Sequence, residues 1–128
     1  MELEGYVSLW VGEFRSSEDF REYLFIEYDE DGDAIPSNFE KDFSIEDYDP
    51  DFREAVFYQQ PLSTLNELLG GASYDEAIIP KFHEMFSKNA PKNVNAVLLL
   101  YNFHYSPGVE VAKSGLNTLH YIGAVQYR

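Results

Sequence analysis

The chain has 128 residues, 45% of them hydrophobic and 16% aromatic, enough to bury one core and too apolar for a disordered acidic tail. It has no cysteine, which excludes disulfides, thiolate metal sites and a thiol nucleophile, and fits a reducing compartment. Nine basic residues against twenty-three acidic ones give a net charge of −14, a field that repels nucleic acid and anionic membranes and attracts a cationic partner.

That charge is unevenly placed. Residues 1–64 hold 18 acids and 4 bases, whereas residues 65–128 hold 5 of each. No apolar run approaches the ~20 residues of a membrane span. MELEGYVSLW opens with two glutamates and no basic region, unlike a signal peptide. The expectation is a cytoplasmic protein with a single domain over residues 1–128.

In chain order, Tyr6–Val11 alternates Val7, Leu9 and Val11 against Tyr6, Ser8 and Trp10, the period of a strand, which Gly12 ends. Ser16 or Ser17 caps a helix whose first turn carries Glu18 and Asp19, and Phe20, Tyr23, Leu24 and Tyr28 are candidates for its buried stripe. Residues 27–54 then hold twelve acids and only Lys41 and Arg53 as bases. Tyr28, Phe39, Phe43, Tyr48 and Phe52 interrupt the acid, so this segment is expected to be pinned to the body by its rings with the carboxylates facing water. A short strand is expected at Ala55–Tyr58, and a short helix over Thr64–Leu69, capped by Ser63 and ended by Gly70-Gly71. A longer helix follows from a Ser73 cap to about Lys88, with Ile78, Phe82, Met85 and Phe86 inward and Pro80 either kinking it or marking its first turn. NVNAVLLLYNFHY is apolar on both faces at its centre and predicts a central strand. Ser106–Asn117, containing Pro107-Gly108, reads as a long hairpin loop leading to a last strand over Thr118–Arg128. The pattern is α+β: a small, largely antiparallel sheet with helices packed on one face.

The acidic stretch poses a specific chemical question. Asp29 to Glu40, DEDGDAIPSNFE, has acids at its first, third, fifth and twelfth positions, the ligand spacing of a helix-loop-helix calcium site. Two structural positions argue against it: the sixth, where such a loop needs Gly, is Ala34, and the eighth is Pro36, which has no N–H. His83-Glu84 begins a zinc-hydrolase motif, but Ser87 stands where the second His belongs. His104 and His120 could be neighbours across a hairpin, without a placed carboxylate beside them. No nucleophile elbow or phosphate-binding loop occurs. An enzyme is therefore not expected, and no catalytic residue, metal or cofactor is assigned.

Tyrosine and acid together suit guanidinium and ammonium groups, which pair with carboxylates and stack on rings. Asp47, Asp49 and Asp51 flank Tyr48 at alternating positions and share a face if the stretch is extended, making either a docking strip for a basic partner or a solvated edge. The gathering of the charge excess there favours the strip.

VSLWVGEF, SSEDFREYL, YDEDGDAIPSNFEKDF and YDPDFREAVF, in this order, resemble the immunity protein 22 family of bacteria. The likeness continues through LSTLNELLGGASY, VNAVLLLYNFHY and YIGAVQY, and so covers nearly the whole chain. The resemblance implies a protein encoded beside a polymorphic toxin that protects its producer by binding the toxin domain, many such toxins being nucleases with basic active sites. Tyr28, Asp29, Asp31, Gly32, Tyr48, Asp49 and Phe52 occupy its motif positions. Gly32 and Phe52 are expected to be structural, and Asp29 and Asp49 could brace the loop through backbone N–H groups. The expected partner-binding set is Tyr28, Asp29, Asp31, Asp33, Asp47, Tyr48, Asp49 and Asp51, directed at a basic toxin domain and at neither nucleic acid nor membrane. The alternatives are a calcium-binding or regulatory module using Asp29, Asp31, Asp33 and Glu40, and an acidic mimic of DNA.

Overall fold

In β1 (Glu2–Glu13) the expected alternation holds: Val7, Leu9 and Val11 join one core cluster, Trp10 joins another, and all four are fully buried. A strand buried on both faces belongs at the centre of a sheet. In the computed structural model, which describes residues 1–106 and 108–128, β1 lies between β5 (Val94–Phe103) and β7 (Asn117–Gln126) and runs antiparallel to both. β4 (Arg53–Leu62) pairs with the far side of β5 and β6 (Val111–Ser114) with the far side of β7, giving the order β4-β5-β1-β7-β6. With 28% helix and 39% strand, the α+β class and the antiparallel sheet are as expected.

The helices, however, cover both faces of that sheet. On one face α3 (Leu65–Leu69) and α4 (Asp75–Asn89) bury Leu65, Leu68, Leu69, Ile78 and Phe82 against Val7, Leu9, Val97, Leu99 and Ile122. On the other, α1 (Ser17–Leu24) and α2 (Asn38–Asp42) bring Phe20, Tyr23, Leu24 and Phe39 onto Trp10, Ala96, Leu98 and Leu100. The physical reason is β5 itself, which is buried on both faces over Val94–Tyr101 and needs an apolar layer on each side. Each fully buried Leu, Ile or Phe in these layers contributes roughly 1.5–3 kcal/mol.

Several local expectations are revised. Ser16 caps α1 by accepting the Asp19 N–H at 3.1 Å, but the helix stops at Leu24 and Tyr28 is not on it. Thr64, not Ser63, caps α3, and α4 starts from Tyr74 in the left-handed region (φ 60°), not from a Ser73 cap. Pro80 lies within α4, which continues past it. β4 runs well beyond Ala55–Tyr58 and includes Pro61, which an edge strand tolerates. The segment after β5 is no simple hairpin loop: it carries β6, and β1 occupies the place between β5 and β7. His104 and His120 are thus not cross-strand neighbours. Pro107, assigned to that loop, lies outside the described residues. No helix is long and apolar enough to cross a membrane, among the described residues.

Candidate functional site

The acidic segment begins as a tight hairpin, β2 (Glu27–Tyr28) against β3 (Ala34–Ile35). Asp29 holds its turn: its Oδ1 accepts the N–H groups of Asp31 and Asp33, both at 2.9 Å. Gly32 supplies the positive φ of 84° that the turn requires. Seven residues after Asp33, Glu40 is buried in a capping box, where its Oε1 accepts from the Ser37 N–H and hydroxyl, each at 2.9 Å. The first and twelfth positions of the supposed calcium loop therefore act on backbone. Among the described residues no three His, Asp or Glu side chains are grouped as a metal would require.

The rings then tie the segment down. Phe39 and Phe43 are fully buried against Trp10, with ring centroids 5.1 and 6.0 Å from it, and Tyr48 packs on Phe39 at 6.0 Å. Tyr48 is only 7% exposed and its hydroxyl accepts from Arg53 at 2.9 Å. It is a core residue: a tyrosine between acids is expected to be exposed, but the core buries this ring and leaves little of it at the surface. Burial raises its pKa, with Arg53 opposing the shift. Tyr28, by contrast, is 63% exposed on the hairpin beside Asp29, Asp31 and Asp33.

Asp49 caps a 3-10 helix, Pro50–Phe52, by accepting the Asp51 N–H at 2.9 Å. The backbone turns there, so Asp47, Asp49 and Asp51 do not share a face through strand alternation. They converge for another reason, as all three line one open groove of about 1370 Å³. Phe52, expected to be structural, is 46% exposed and lines it too.

The sheet makes this groove by leaving its end uncovered. Pairing of β4 to β5 begins at Arg53↔Leu100, so Tyr101, Asn102 and Phe103 run past the end of β4. On the other side, the β1–β5 register jumps between Glu2↔Phe103 and Val7↔Tyr101, so Leu3 to Tyr6 bulge opposite Asn102. Gly5 and Asn102 take positive φ of 87° and 58° in this bulge, and Asn102 Oδ1 accepts from the Gly5 N–H at 3.0 Å and from the Tyr127 hydroxyl. The bulge carries Glu2, Leu3 and Glu4 to the rim, and Ser73 and Tyr74 before α4 form another wall.

Six acidic residues line the groove, Glu2, Glu4, Asp47, Asp49, Asp51 and Glu54, against one basic residue, Arg128. Tyr74, Tyr101 and Tyr127 cluster in it, with centroids 4.7 to 6.4 Å apart. Burial, followed by the nearby Glu54 and Asp75, raises the Tyr101 pKa, so its hydroxyl stays protonated and donates to the Ser73 carbonyl. Glu54 accepts from the Ser73 N–H and hydroxyl. Chemically, the groove offers carboxylates and aromatic faces to a cation.

Residues 7–128 match the immunity protein 22 family. The chain belongs to that family. The immunity protein 22 family implies an immunity function and a toxin protein as partner, and such families are generally non-enzymatic. No curated protein and no solved structure matches the chain.

Of the residues singled out from sequence, the groove of this immunity protein 22 member brings together Asp47, Asp49, Asp51 and the edge of Tyr48. Tyr28, Asp29, Asp31 and Asp33 stand on the β2–β3 hairpin and do not line it. Sequence reasoning missed Glu2, Glu4, Glu54, Tyr74, Tyr101 and Tyr127. Their signal was the tyrosine count of ten and the two opening glutamates, neither of which carries any hint of convergence.

Proposed function

We propose that this protein neutralises a cognate toxin domain by docking its acidic, tyrosine-lined groove onto a basic face of that domain, a nuclease-like one being the best fit. The supporting observation is the meeting of six acidic residues and three clustered tyrosines in one open groove on a chain of net charge −14. The β2–β3 hairpin, with Tyr28, Asp29, Asp31 and Asp33, is a second negative surface that steers approach. Encounter is fast and salt-sensitive, and tight binding rests on a few desolvated aromatic and acidic anchors.

The test uses the toxin domain encoded beside the gene. Asp47→Lys with Asp51→Lys, Asp49 being kept because it caps the 3-10 helix, reduces the association rate by about tenfold or more and abolishes protection in cells. Full protection by this folded variant would sink the assignment of the groove. A DNA mimic predicts instead that the protein binds several unrelated basic proteins with similar affinity.

A further inference from the structure

We propose that the groove is an arginine-recognition surface, and that Arg128 occupies one of its positions in place of a partner arginine. The proposal rests on the reading that the groove faces the toxin, and specifies the partner's chemistry there.

Arg128 already makes the contacts that such a ligand would make. Its Nη2 lies 2.9 Å from Glu4 Oε1, and its guanidinium carbon stands 5.3 Å from the centroid of the Tyr127 ring. A carboxylate on one side and a ring on the other is the arrangement that favours guanidinium over ammonium, because the planar fork pairs and stacks at once. The rest of the groove presents the same two kinds of group, carboxylate and aromatic ring. Glu2, Asp47 and Asp51 have no Lys or Arg nitrogen within salt-bridge distance among the described residues. Tyr74 is 51% exposed and Phe52 46%, and both line the groove with those carboxylates. The volume, about 1370 Å³, accommodates several side chains of an extended segment and not one alone. Arg128 is half exposed and tied by one ion pair, so an incoming guanidinium can displace it at little cost.

The experiment titrates the full chain with hexa-arginine and hexalysine peptides at physiological salt, where bulk charge attraction is matched between them. Hexa-arginine is expected to bind about tenfold tighter than hexalysine. Tyr74→Ala and, independently, Phe52→Ala reduce that preference, while Glu30→Lys with Asp31→Lys on the hairpin weakens both peptides alike. Arg128→Ala frees a position and tightens hexa-arginine about threefold. Equal affinity for the two peptides, or no tightening in Arg128→Ala, overturns the proposal. Because no toxin is present, the result separates from the functional reading. Equal affinity of the unsubstituted chain for the two peptides, alongside loss of protection by the Asp47, Asp51 variant, refutes arginine recognition alone. An arginine preference in the unsubstituted chain with intact protection by that variant upholds arginine recognition and refutes the toxin-facing role.

Discussion

Two tyrosines from the same acidic segment have opposite environments, and substitution separates them. Tyr48 fills the core between Phe39 and Arg53, whereas Tyr28 stands 63% exposed on the hairpin. Tyr48→Ala is expected to cost about 3–5 kcal/mol and Tyr48→Phe about 1 kcal/mol, read by urea unfolding. Tyr28→Ala stays within about 0.5 kcal/mol. Titration gives a second prediction at this scale. Burial raises the pKa of Tyr23, Tyr48, Tyr58, Tyr101 and Tyr121, with Tyr121 pushed up to about 12 from the ordinary 10.0. The folded state therefore holds these protons where the unfolded chain has released them. Their contribution to stability is complete below pH 10 and is lost as pH rises from 10 towards 12 and beyond. Ionisation of these five tyrosines is expected to coincide with loss of circular dichroism in one cooperative alkaline transition. Ionisation of these five with the circular dichroism unchanged would contradict this. Asp29 and Asp49 each accept backbone N–H groups, the bracing role that the turn chemistry of aspartate leaves open beside partner binding.

Among the elements, legibility followed whether the signal was local. β1, α1, α3 and β5 were readable because their apolar period or cap lies in consecutive residues. β6 and most of β4 were not, since both are edge strands whose shape depends on a neighbour distant in sequence, and β4 is exposed at Ala55, Val56, Gln59 and Gln60. The two-sided burial of β5 was visible as an unbroken apolar run, and it should have implied helices on both faces. The groove was the least legible feature, because it arises from a register jump between β1 and β5 that no local pattern encodes. Close approach of elements supplies a further test. A Cβ on Gly12 would collide with the Thr118 carbonyl on β7, a backbone atom that cannot swing aside. Gly12→Ala is expected to destabilise by about 1–3 kcal/mol in thermal or urea unfolding, and an unchanged midpoint would rule out this close approach of β1 to β7.

Taken whole, the molecule places its −14 charge so that one variable acts on it in two directions. Raising salt from about 0.01 to 0.15 M shortens the screening length from about 30 to 8 Å. Self-repulsion within the chain weakens, so the melting midpoint is expected to rise. On the proposed docking to a basic toxin face, long-range attraction weakens as well, so association is expected to slow over the same range. Calorimetry and stopped-flow mixing across one salt series check both, and a midpoint that falls with salt would mean that ion pairs, not repulsion, dominate the folded state. The strand order carries a consequence of another kind. Val7 is registered with Tyr101 on one side and Val125 on the other, and the groove gathers Glu2, Asp47, Tyr74, Tyr101 and Tyr127 from points spread along the polypeptide. Such distant pairings assemble slowly and late. During translation the opening strand must wait, unpaired, for segments not yet made. On the proposed reading of the groove, a nascent copy is no antidote, and protection is expected to lag behind synthesis by the folding time.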